Sequence, residues 1–160
     1  MRIQSLLYAA LNPVMRALLR SPLHTVASRN LGLLCYRGRR SGRRFETPLS
    51  YVREGSTIRF LSSRETRWWT NFRAGPLPVE VEIGRKRHAG VARLLEHDSD
   101  ALREGVRRFL TALPRDAMVY GIKLDPDRRP RESDLAKVGD HVILVEVELA
   151  PDETRRHDRA

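Results

Sequence analysis

Leu31-Gly-Leu-Leu-Cys-Tyr-Arg-Gly-Arg-Arg-Ser-Gly-Arg-Arg-Phe-Glu-Thr-Pro-Leu-Ser-Tyr51 reads as two apolar runs joined by a basic turn with a glycine near each end. The first run, Leu31–Tyr36, and the second, Phe45–Val52, are short and bounded by turn residues, which is the pattern of a strand pair. Glu54-Gly55 then signals a hairpin into a third strand at Thr57–Ser62. The turn between the first two strands carries five arginines between Arg37 and Arg44. Glycines there allow close approach of a ligand, and guanidinium forks, the Ser41 hydroxyl and backbone N–H groups can converge on a phosphate or carboxylate. On the residues alone, a solvated hairpin turn is an equally good reading.

Outward from this stretch the β pattern continues. Thr66–Arg73 reads as one short helix, stopped by Ala74-Gly75-Pro76. Val79, Val81 and Ile83 alternate with Glu80 and Glu82, a half-buried strand, and Gly84-Arg85-Lys86 turns it into a partner over His88–Leu95. Asp98-Ser-Asp100 caps a helix running to about Leu113, where Pro114 ends it. Ala117–Leu124 is expected to be a strand, Asp125–Pro130 a polar loop, and Val142–Leu149 a last strand with Glu146 and Glu148 outward. Six or seven strands on short turns, with two or three helices, predict an α+β chain that is mainly β: a split antiparallel barrel with peripheral helices. The helix–strand rhythm of a doubly wound parallel sheet is missing, as is a G-x-G-x-x-G turn between strand and helix.

Upstream, Ile3, Leu7, Leu11, Val14 and Leu18 fall at helical spacing, with Asn12-Pro13 as a cap or kink. We therefore expect a helical segment over residues 1–30, a barrel domain over 31–150 and a charged, disordered tail over 151–160. The charge-free stretch Ile3–Met15 is too short to span a bilayer, and Arg16 and Arg20 interrupt any signal-peptide core. Packing of this helix on its own domain is weighed against peripheral contact of residues 1–20 with an anionic membrane.

Charge is local. The first 45 residues hold nine arginines and no Asp or Glu, although the whole chain of 160 residues is only +10. Apolar content of 41% and charged content of 31% suit a globular chain able to bury a core. Cys35 is the only cysteine, so an internal disulfide is impossible. The five histidines lack metal-ligand spacing, and no metal site is assigned. The placement expected from this is cytoplasmic, with membrane association as the variant. Nucleic acid is disfavoured as a partner, because aromatics do not interleave with the arginines and no known binding motif is present.

A second anion cradle is offered by Ser62-Ser63-Arg64, a strand end running into the start of an aromatic helix. Trp68 and Trp69 point about 100° apart on such a helix, so one belongs to the core and the other is free to lie against a planar ring.

The ordered set Arg20-Ser-Pro-Leu-His24, Gly38-Arg-Arg-Ser-Gly42, Pro48-Leu-Ser-Tyr51, Arg53-Glu-Gly55 and Trp68-Trp-Thr-Asn-Phe72 resembles the deazaflavin-dependent nitroreductase family, the coenzyme F420 group of split-barrel reductases. The resemblance runs from about Leu11 to Leu95 and implies coenzyme F420 as cofactor. Its phosphate and oligoglutamate tail would meet Arg39, Arg40, Ser41 and Gly42 and the segment Ser62, Ser63 and Arg64. Its ring would lie near Pro48, Leu49 and Tyr51, ordered by Trp69 and Asn71. The cofactor would carry the hydride chemistry, with a small-molecule acceptor such as a quinone or nitroaromatic, and Tyr120 as candidate proton donor. Pairing into a homodimer is the family expectation. The alternatives are FMN on the same fold and a non-enzymatic basic module for anionic membrane or nucleic acid.

Overall fold

The computed structural model describes residues 30–151 and, upstream, the isolated positions Pro13 and Ala17, both helical and exposed. The rest of the expected N-terminal helical segment, and the tail beyond Pro151, lie outside the described residues.

Six strands form a closed antiparallel barrel: β1 (Leu31–Arg37), β2 (Arg44–Glu54), β3 (Thr57–Ser63), β4 (Leu77–Ile83), β5 (Lys86–Leu95) and β6 (Val142–Leu149), in the order β1-β2-β3-β6-β5-β4. Alternation sets the two faces of each strand. Leu34, Tyr36, Tyr51, Ile58, Phe60, Val81, Val145 and Val147 point inward and fill the interior. Val52, Leu61, Val142 and Leu144 point outward, beneath a helical layer. The β4–β5 hairpin turns through Gly84 and Arg85, both at positive φ (54° and 67°), as a two-residue turn requires.

The helical layer is led by α1 (Asp100–Ala112), whose N-cap Ser99 accepts a hydrogen bond from the Leu102 N–H. Leu102, Val106, Phe109 and Leu110 form its buried stripe. A short α2 (Glu132–Leu135) follows, adding Leu135 to the same core. A 3₁₀ turn at Trp68–Phe72 closes one end of the barrel with Trp69 and Phe72.

One expectation is corrected. Ala117–Leu124 is not a strand: Pro114–Tyr120 is a 3₁₀ helix that ends at Gly121 in the left-handed conformation. The barrel is already closed without it, so no sheet edge is left to join. Ala117 packs under α1 while Met118 and Val119 are 85% and 76% exposed, a burial pattern that does not alternate. Glu82 faces out of the barrel, yet it is buried, at 8% exposure.

Candidate functional site

Antiparallel order brings the C-terminal ends of β1, β3 and β5 to the same end of the barrel as the N-terminal ends of β2, β4 and β6. The basic turn, the Ser62–Arg64 segment and the aromatic 3₁₀ turn therefore meet there. The basic turn is tied by Gly42 N–H to Gly38 O and Gly38 N–H to Arg43 O, each 2.8 Å, with Gly42 at φ 64°.

The arginines of this turn divide by use. Arg39 Nε donates to Asn71 O at 2.9 Å and its Nη2 to Gly75 O at 2.7 Å, so its guanidinium staples the turn to the aromatic segment. Asn71 completes the staple: its side chain accepts from the Arg39 N–H at 3.4 Å and donates to Trp68 O at 2.9 Å. Arg37 donates to Gly42 O, and Arg44 pairs with Glu80 and Glu46. Arg40 and Arg43 are exposed and have no side-chain partner among the described residues. Ser41 Oγ accepts from the Arg43 N–H at 3.2 Å, which leaves its own proton free to donate.

In the second cradle, Ser62 is buried, sharing a hydrogen bond with Thr66 Oγ1 at 2.9 Å and accepting from Trp68 Nε1 at 3.2 Å. Ser63 Oγ accepts from the Glu65 N–H. Trp69 is buried, with the Arg64 guanidinium 5.6 Å and the Arg73 guanidinium 4.9 Å from its ring centre. Its Nε1 is a buried donor with no acceptor among the described residues. Trp68 is the half-buried member of the pair and packs edge-on against Phe72.

On β2, Leu49 and Tyr51 face the interior, and burial pushes the Tyr51 hydroxyl pKa up. Pro48 lies opposite Leu33 of β1 and is half-buried. Tyr120 lies on the outer side of β3: its hydroxyl donates to Leu61 O at 2.9 Å against the core under α1, and its backbone oxygen accepts from His141 Nε2 at 3.1 Å, just ahead of β6.

Sequence reasoning missed Arg73, Arg93 and Glu96. With Phe72, Gly75, Pro76 and Leu94 they line a hollow of about 270 Å³ beside the Arg39 staple. Glu96 accepts from Arg73 at 3.0 and 3.1 Å, and that hydrogen bonding holds its carboxyl below the ordinary range. The signal was faint: an arginine just after the aromatic motif and a lone carboxylate at a strand end. A larger hollow of about 620 Å³ lies on the helical layer, lined by Arg107, Thr111, Asp125, Arg129 and Glu132. It holds none of the candidate site residues and offers no aromatic platform.

Among the described residues, no group of His, Cys, Asp and Glu is placed to hold a metal ion, and no helix is long and apolar enough to cross a membrane.

The family model for the F420H(2)-dependent quinone reductases matches residues 19–124, a span from ahead of β1 through α1 to just past the 3₁₀ helix. The chain belongs to that family. It is thus an oxidoreductase whose cofactor is coenzyme F420. Among curated proteins nothing matches. Solved structures share the fold. An FAD-binding protein from Mesorhizobium loti is 14% identical over 82% of this chain and 91% of its own, with a TM-score of 0.52. An F420-H2 dependent reductase (FDR-A) is 21% identical over 74% of this chain and 95% of its own, with a TM-score of 0.50. A structure described as a domain-swapped dimer is 21% identical over 76% and 81%, with a TM-score of 0.51. The donor chemistry of the barrel end fits the F420H(2)-dependent quinone reductase cofactor: guanidinium groups and a hydroxyl proton with no partner among the described residues suit a polyanionic tail.

Proposed function

We propose that this reductase passes hydride from reduced coenzyme F420 to a quinone, nitroaromatic or similar conjugated acceptor, with residues 31–150 as the catalytic barrel. The observation that carries the reading is the pair of guanidinium groups, Arg40 and Arg43, left without partners among the described residues on a turn that Arg39 holds rigidly against the aromatic segment. Arg40, Ser41 and Gly42, with Ser63 and Arg64, would bind the anionic tail through charge-assisted hydrogen bonds. Arg39, Asn71 and Ser62 would act one step back, fixing the turn and the Trp68–Phe72 segment. Pro48, Leu49 and Tyr51 would flank the ring, with Trp69 packed behind. When bound, coenzyme F420 supplies a hydride and a proton, which together convert a quinone to a hydroquinone. The protein's part is to bind, orient and exclude water.

Pairing of two copies belongs to the proposal, supported by the fold relative that is a domain-swapped dimer. Cytoplasmic placement does too, since the lone thiol calls for no oxidising compartment. Peripheral membrane contact through residues 1–20 concerns a segment outside the described residues.

The test follows oxidation of reduced F420 by absorbance, with quinones and nitroaromatics offered in turn. Saturable, enzyme-dependent oxidation by either class is the expected result. Tight cofactor binding without turnover of any such acceptor would refute the acceptor assignment while leaving the cofactor intact.

A further inference from the structure

Glu96 stands between two arginines at the barrel end. It follows β5, Arg64 follows β3, and both strands flank β6. Its carboxylate is 13% exposed. Arg73 approaches it as a fork, with Nε donating to Oε1 at 3.1 Å and Nη2 to Oε2 at 3.0 Å. Arg64 Nη2 reaches the same Oε2, but only at 3.5 Å. The other side-chain hydrogen bond of Arg64, from Nη1 to Gly139 O, is also 3.5 Å. Both distances exceed the roughly 2.7–3.2 Å of a well-formed N–H···O bond. The exposed His97 completes the charged surroundings, its Nε2 3.4 Å from Oε1.

One carboxylate cannot neutralise two guanidinium groups. Geometry gives it to Arg73, because a bidentate pair is the stronger contact. The forces that hold the Glu96 carboxyl below its ordinary range follow the same order: the hydrogen bond from Arg73 ranks first and the charge of Arg64 last. Arg64 therefore keeps most of its charge. Its side chain is 25% exposed and held by two long contacts, unlike the tightly bound Arg39.

We propose that Arg73 is a positioning residue for the anion cradle: it holds Glu96 off Arg64 and so leaves that guanidinium available to the cofactor's anionic tail. The inference rests on the role proposed for Arg64 above. Glu96 is then a competitor of the ligand built into the site. Without Arg73, a small shift converts the long Arg64–Glu96 contact into a full ion pair, and the cradle loses a charge although neither Arg73 nor Glu96 touches the ligand.

Oxidised coenzyme F420 would be titrated, by its own fluorescence, with the parent, Arg64→Ala, Arg73→Ala and Glu96→Gln. The double variants Arg64→Ala/Arg73→Ala and Arg64→Ala/Glu96→Gln complete the set, and melting curves check that each is folded. Arg73→Ala should weaken binding and Glu96→Gln should tighten it, each by about threefold or more, the scale of a partly exposed charge pair. Both effects should vanish once Arg64 is alanine, because they act through it. A general change in the local field would persist there, so equal effects with and without Arg64 overturn the proposal. So does a Glu96→Gln protein that binds no tighter than the parent. Unchanged affinity in Arg64→Ala would refute the underlying role of Arg64, and the proposal with it, a result distinct from the other two. Should Arg73→Ala fail to fold, the effect of Glu96→Gln with and without Arg64 decides the matter alone.

Discussion

Arg39 and Arg40 are neighbours of one residue type, and their uses diverge. Arg39 is committed to the carbonyls of Asn71 and Gly75, while Arg40 extends without a partner among the described residues. Arg39→Ala should therefore lower the melting temperature by a few degrees and weaken cofactor binding indirectly, by releasing the turn. Arg40→Ala and Ser41→Ala should leave the melting temperature unchanged and weaken F420 binding by about 1–3 kcal/mol for each charge-assisted hydrogen bond removed. Calorimetry together with titration of each variant distinguishes the staple from the cradle. Tyr120→Phe should lower stability with little change in kcat, because the hydroxyl is bound to Leu61 O under α1. Loss of kcat with unchanged stability would instead make it the proton donor. Glu96 titrates below the ordinary glutamate value of 4.5, chiefly through its hydrogen bond from Arg73. A lowered folded pKa contributes stability that is complete above that ordinary value and is lost as pH falls through the folded one. Glu96→Gln should accordingly flatten the acid side of the stability profile, which melting curves between about pH 3 and 6 would show. None of this division of labour is legible in the sequence, where the arginines of the turn look interchangeable. Which of them finds a carbonyl depends on partners more than 30 residues away.

At the scale of elements the sequence is more informative. Val142–Leu149 matches β6 residue for residue, and Ser99 caps α1 within the expected acidic cluster. Both expectations rest on local physics, namely alternation and capping. The Ala117–Leu124 expectation fails because a strand needs a free edge to pair with, and no local pattern reveals that the barrel has closed without it. The barrel seam gives a quantitative contrast. A Cβ at Gly90 would lie 2.6 Å from the Glu148 backbone oxygen, whereas one at Gly105 would lie 2.3 Å from the movable end of Leu144. Gly90→Ala should thus cost more than Gly105→Ala, the latter within the roughly 1–3 kcal/mol typical of overpacking. Equal denaturation midpoints for the two variants would argue against a rigid β5–β6 seam. Phe109→Ala, which empties a fully buried position under α1, should cost about 3–5 kcal/mol by chemical denaturation.

For the whole molecule, the split barrel is legible because strand number, short turns and the ordered motifs all point the same way. Closure is not, since pairing of β1 with β4 joins residues about 45 positions apart with no local signal. The site follows from that closure: three segments separate in sequence become one barrel end with donors facing outward and acceptors spent on holding the scaffold. Within the charge asymmetry of the first 45 residues, the turn at Arg40–Arg43 is the part assigned to the proposed cradle. Cofactor choice is where cradle and barrel end are tested together. Purified protein would be titrated with oxidised coenzyme F420 and, in parallel, with FMN, following fluorescence quenching, for the parent, Arg40→Ala and the distant control Arg131→Ala. Saturable binding of F420 alone, weakened by Arg40→Ala and untouched by Arg131→Ala, is the predicted result. Binding of FMN in its place, or F420 affinity indifferent to Arg40, would contradict it.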